Sequence, residues 1–120
     1  NLCFASMGIK NWYGLLGGRR NQFHQDIHEI VSDLSIMIRP TLTILDGTKV
    51  LMENGPTGGD PSNVVTRDVV MASLDPVAQD AWAFQHLLQR DPQQLPEYLH
   101  KAEVKGAGRV DFEGRLREIT

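Results

Sequence analysis

The apolar residues of this sequence come in short runs whose spacing switches, along the chain, between a helical and an extended period. A helix buries one stripe and a strand buries one or both faces, so a chain that alternates the two periods needs both element types around a shared core. With 120 residues, one domain can bury roughly 65% of its unfolded surface. These features predict an α/β fold, layered, with a mixed but mostly parallel sheet flanked by helices.

Residues 1–16 read as a short strand or loop and then a short helix, and Arg19 to Gln22 as a polar connection. From Phe23 the residues Phe23, Ile27, Ile30, Leu34 and Met37 recur at steps of three or four, one stripe of a helix. Asn21 can cap its start, and Arg39, standing before Pro40, is biased away from helical dihedrals and should end it. Leu42 to Leu45 reads as a covered strand, Asp46-Gly47 as a tight turn, and Lys49 to Met52 as a returning hairpin strand. Residues 54–63 are turn formers throughout, a long loop of the kind that often serves function. Val64-Val65 and Val69 to Ala72 read as strand again. Asp75 is a good helix cap and Pro76 suits a first helical position, so a second helix should run to about Arg90. A third should run from near Pro96 to Gly106 or Gly108, and a last short strand is expected at Leu116 to Ile119.

The chain is 41% hydrophobic and 22% charged, ordinary globular usage, and no apolar run is long enough to span a bilayer. Net charge is −3 with the basic residues scattered, which excludes a nucleic-acid surface. Cys3 is the single cysteine, so no disulfide, zinc knuckle or iron–sulfur cluster can be built within this chain. The opening Asn1-Leu2-Cys3-Phe4-Ala5 shows no leader and reads as a cut piece of a larger protein. A cytoplasmic, soluble domain is expected, without membrane partners.

Few residues suggest chemistry. His24 and His28 stand four apart, a spacing at which two imidazoles share a helix face and can hold one metal. The segment is not the HExxH motif, and histidines hydrogen-bonded at a helix edge are the plainer reading, so no metal site is assigned. Asp80 falls between Phe84 and Leu87 on the apolar side of its helix at about 100° per residue. A carboxylate there needs a partner: loop N–H groups or a cation such as Lys10 if structural, a cleft if it is a general base or ligand. Asp75 reads as a helix cap at a corner that could hold an anion. Asp46 ends a buried strand, where α/β folds place ligand-handling residues, or begins a turn. The loop Gly55 to Pro61 has the glycines of a phosphate cradle without the GKS or GKT ending. Lys10-Asn11 could pair with an acid or clamp an anionic ligand.

The succession Lys10-Asn11 with Gly14, His24, Pro40-Thr41-Leu42-Thr43-Ile44-Leu45-Asp46-Gly47, Gly55-Pro56 with Gly58, Asp75-Pro76-Val77-Ala78 with Asp80, and Gly106-Ala107-Gly108 resembles the C-terminal half of the domain-of-unknown-function family numbered 362. The resemblance covers nearly the whole chain. It implies a single α/β domain over residues 1–120 that is a C-terminal fragment of a larger domain, in a bacterial and archaeal family. Many relatives carry ferredoxin-like cysteine clusters beside this domain and are described as iron–sulfur proteins; with one cysteine, this chain inherits no such role. The family has no established activity, so the resemblance transfers positions and not a reaction.

Two functions follow as expectations. In the first, the domain is a ligand- or metal-binding or catalytic domain associated with redox proteins. His24, Asp46 and Asp80 supply its chemistry, and Lys10, Asn11, Gly55, Pro56, Gly58 and Asp75 contact an anionic small molecule. In the second, it is a non-catalytic module that docks electron-transfer partners such as a ferredoxin-like domain.

Overall fold

The computed structural model describes residue 5, residues 7–55 and residues 59–120. Cys3 lies outside the described residues, as do Pro56 and Gly58 of the expected ligand-binding set. Helix α1 (Gly8–Asn11) runs into a 3-10 turn (Trp12–Leu15), and a 3-10 stretch (Arg20–Asp26) leads into α2 (Ile27–Met37). Strands β1 (Thr43–Leu51) and β2 (Val64–Ser73) follow, then α3 (Pro76–His86) and α4 (Glu97–Val104).

The sheet corrects the expectation of a layered, mostly parallel one: among the described residues it has two strands, paired antiparallel, with Thr43 opposite Ser73 and Leu51 opposite Val64. The reason lies in how the apolar runs join. Leu42–Leu45 and Lys49–Met52 belong to one continuous strand, and so do Val64-Val65 and Val69–Ala72. Asp46-Gly47 is therefore no hairpin turn. It sits inside β1 at a register shift between Gly47 and Lys49, where a Cβ on Gly47 would meet Leu87 Cδ1 at 2.8 Å and the Val69 carbonyl oxygen at 3.1 Å. Glycine there admits the Leu87 side chain, just past the end of α3, against the strand backbone. Across the bulge Asp68 takes a left-handed φ of 54°, a conformation Asp tolerates better than most residues. The real turn is the turn-former segment, closed by Met52 N–H donating to the Asn63 carbonyl. Two strands joined by a hairpin loop pair antiparallel, and among the described residues no α-helix links one strand to the other to create a parallel crossover. Residues 116–119, expected as a strand, form none; Leu116 and Ile119 are exposed among charged neighbours.

Helix α3 is the centre of the molecule. Eight of its 11 residues are buried, Gln79 and Asp80 among them. Asp75 caps it as expected, accepting from Ala78 N–H at 2.9 Å, with Pro76 in the first position. It ends at His86, four residues short of expectation. The apolar core joins Ile9 and Tyr13 with Ile27, Val31 and Leu34 of α2, Val77, Ala81 and Phe84 of α3, and Tyr98, Leu99 and Ala102 of α4. Helix α2 begins later than its apolar stripe suggested: Phe23 is in the 3-10 stretch and exposed, and Val31 takes the place expected for Ile30. It stops before Arg39-Pro40, as expected. The inner face of the hairpin packs Leu45, Val50 and Val69 on this core, and its outer face leaves Ile44 and Val70 exposed.

Candidate functional site

Two buried polar residues on consecutive positions of α3 organise the region where α1, the hairpin and α3 meet. Gln79 donates through Nε2 to the Thr43 carbonyl at 3.3 Å and to the Met71 carbonyl at 3.2 Å. One side chain thus pins both strands to the helix, satisfying carbonyls at the sheet end. Asp80 turns the other way. Its Oδ2 accepts from the Ile9 N–H at 3.0 Å and from the Tyr98 hydroxyl at 3.0 Å. Met7, at the start of α1, offers no side-chain cap, so the Asp80 carboxylate serves as the cap from another element, meeting the free N–H groups of that one-turn helix.

The other oxygen is different. Asp80 is fully buried, and Oδ1 makes no hydrogen bond among the described residues. It lies beside Gly8, where a Cβ would stand 3.0 Å from it. Burial pushes the Asp80 carboxyl up to about 7, against the opposing pull of the Ile9 N–H, the Tyr98 hydroxyl and the Gly8 N–H. Loss of hydration disfavours the anion, and these donors recover only part of it. Buried polar atoms are nearly always partnered, so an oxygen with no hydrogen bond among the described residues is a feature to be explained.

Asp80 and Gln79 form part of the wall of a cleft of about 460 Å³. Gly8, Ile9, Asn11 and Trp12 line one side of it, and Pro40 with residues 42–46 the other. A second cleft, of about 440 Å³, shares Asn11, Leu45 and Asp46 with the first and extends along β1 to Gly55 and Arg90. The structure thus brings Asn11, Asp46 and Asp80 to one cleft, and Asn11, Asp46 and Gly55 to the next. Asp46 is exposed, and the Thr48 N–H, donating to its Oδ1 at 2.9 Å, holds its carboxyl below the ordinary range.

The remaining expected residues lie elsewhere. Lys10 is half-buried and lines neither cleft. His24 is exposed, its ring 5.1 Å from that of Tyr13, with Nδ1 near the Asn21 carbonyl. His28 faces α4 instead, where its Nδ1 accepts from the Tyr98 N–H at 3.2 Å and caps that helix. Among the described residues no group of three or more His, Cys, Asp or Glu is arranged to hold a metal ion. Asp75 is engaged at its own corner, where Oδ2 accepts from Arg109 N–H at 3.0 Å and pairs with Arg115 at 2.9 Å. Burial pushes its carboxyl up, but the donors Ala78 N–H, Arg115 and Arg109 N–H outweigh that and hold it below the ordinary range.

Sequence reasoning missed Tyr98, which joins three elements. Its N–H meets His28 on α2, its hydroxyl meets Asp80 on α3, and its ring stacks on that of His28 with centroids 6.3 Å apart. An isolated aromatic in a charged eight-residue helix gives no such signal. Gln79 was missed as well; its position beside Asp80 on the capped start of a nearly all-buried helix was the available hint.

The family model described as Domain of unknown function (DUF362) matches residues 1–85. The chain belongs to this family. All of the cleft around Asp80 falls within the family match, whereas Tyr98 and the Arg115 clamp lie beyond it. The chain is also 32% identical over 99 residues to the thylakoid-associated protein sll1697 of Synechocystis sp., a stretch that is 76% of this chain and 30% of the relative. The chain therefore spans under a third of the length of that curated relative. No solved structure matches it. No helix among the described residues is long and apolar enough to cross a membrane.

Proposed function

We propose that this part of the domain binds a small molecule in the cleft between α1, β1 and the start of α3, with Asp80 as the group that senses or exchanges a proton with it. The observation that carries the reading is the Asp80 carboxyl itself: fully buried, with Oδ1 making no hydrogen bond among the described residues, and part of a cleft wall. A carboxyl that titrates near neutrality in such a place suits general acid–base work, since the best proton carriers have a pKa near the working pH. Asn11 and Asp46 supply polar contacts at the rim, and Trp12, Pro40 and Leu45 the apolar walls. This resembles ligand sites in general, mostly apolar with a few converging polar groups. The expected link to redox proteins belongs to this proposal as context and is supported by no residue of the cleft.

Thermal-shift screening of the wild type and Asp80→Asn against a library of small polar metabolites and divalent ions tests the reading. A true ligand raises the wild-type Tm by mass action and loses most of that shift in Asp80→Asn. Compounds that shift both proteins equally would place binding elsewhere.

A second reading, a module that docks electron-transfer partners, draws on a different observation. Ile44 and Val70 are 69% and 65% exposed on the outer hairpin face, and the curated relative is thylakoid-associated. A charge substitution at Val70, which lines neither cleft, would abolish docking under that reading and leave small-molecule binding at Asp80 intact.

A further inference from the structure

The lining of the Asp80 cleft restricts what it can hold. Its polar members are Asn11, Thr43, Asp46, Gln79 and Asp80, and it has no lysine, arginine or histidine. Its apolar members include the flat faces of Trp12, Pro40 and Pro76. Two carboxylates with no lining cation repel an anion and would strip it of water without replacing the lost hydrogen bonds. An anionic partner held by Lys10 does not suit this lining.

Resting on the small-molecule reading above, we propose that the cleft recognises a protonated nitrogen group (amine, amidine or guanidinium) carried on a flat apolar body. The cation is drawn to Asp46 and to the buried carboxyl of Asp80, while the body lies between Trp12 and the prolines, where a cationic or aromatic group also gains from the indole face. Oδ1 of Asp80, which makes no hydrogen bond among the described residues, is the second observation, independent of the acidic count: such a ligand brings a donor for it.

The ionisable groups around Asp80 are Tyr98 on α4, which donates to it, Asp46 on β1, which shares its cleft, and His28 on α2, which contacts Tyr98 and not the carboxylate; Lys10 on α1 does not line the cleft. Among the described residues none forms a salt bridge to Asp80. Because the anionic form of Asp80 is the one that attracts a cation, binding should strengthen as pH rises through neutrality and should release a proton. If affinity follows the ionised fraction, it rises roughly tenfold between about pH 6 and about pH 8.

Calorimetry with benzamidine and with benzoate, the same flat body bearing opposite charge, tests this. Benzamidine should bind the wild type, more tightly at the higher pH, and weaken about tenfold or more in Asp80→Asn. Leu42→Arg, at a cleft position that is 51% exposed and so tolerant of change, should weaken benzamidine severalfold and favour benzoate. Benzoate binding that is lost in Asp80→Asn would overturn the ligand class while leaving the cleft reading intact. Benzamidine binding that neither variant alters would overturn both, and absence of benzamidine binding at millimolar concentration would overturn the class.

Discussion

The Tyr98 hydroxyl donates to Asp80 Oδ2 at 3.0 Å, joining α4 to α3 inside the core. This bond holds the carboxyl that itself caps α1, so a residue outside the matched family region completes a site that lies inside it. Tyr98→Phe removes the donor and keeps the ring. It should lower stability by about 1–2 kcal/mol, the usual cost when a charged or polar acceptor loses a buried partner. Because that hydroxyl pulls the Asp80 carboxyl down, the same change should raise the carboxyl's midpoint further. Urea unfolding and a carboxyl titration read the two effects separately.

Asp80 also sets a slope of stability against pH. Its folded pKa is raised to about 7 from an ordinary value of 3.8, so between these values the native state holds a proton that the unfolded chain has released. Stability should therefore fall as pH rises from about 4 to about 7, by on the order of 4 kcal/mol for three pH units. Asp80→Asn keeps an acceptor for Ile9 and Tyr98 and cannot ionise. The difference between wild type and Asp80→Asn, measured by denaturant titration at several pH values, should swing in favour of the variant as pH rises through that window.

His28 holds the start of α4 through the Tyr98 N–H. His28→Ala leaves that N–H without its acceptor and should cost about 1 kcal/mol, the size of a lost helix cap. Chemical denaturation measures it, and hydrogen exchange at Tyr98 should speed up selectively.

Much of this arrangement could be read from the residues themselves, and the failures have physical causes. The Asp75-Pro76 start of α3 and the stop before Arg39-Pro40 were legible because caps and prolines act locally. Asp80 was legible by helical phase alone. Whether its carboxylate met N–H groups or Lys10 was not, because the Ile9 amide lies 71 residues away in sequence. Asp46-Gly47 misled because a glycine serving a bulge and one serving a turn look alike until Leu87 is placed against it. That one ambiguity split β1 into two strands; the mostly parallel sheet was expected from strands alternating with helices, whereas the two described strands follow each other directly and pair antiparallel. Asn11 and Asp46 meet Asp80 at the cleft, while His24 and Asp75 do not, a division that only the packing of α1 on α3 decides.

Gly108 gives a test of the opposite corner. A Cβ there would clash with Asp75 Oδ1, the oxygen that caps α3, and would stand 2.7 Å from the carboxyl carbon. Gly108→Ala must displace either the cap or the loop carrying Arg109 and Arg115, and should destabilise by about 1–3 kcal/mol. Since this corner lies outside the cleft, a thermal melt should show the loss while benzamidine affinity at a permissive temperature stays unchanged.

The buried carboxyl can be observed directly. Carbon-13 NMR of the Asp80 carboxyl across the pH range, without and with saturating benzamidine, should give a midpoint near 7 that moves downward when the cation is bound. A midpoint in the ordinary aspartate range near about 4, unmoved by benzamidine, would contradict a buried carboxyl that accepts a ligand's proton donor and leave Asp80 as a helix cap alone.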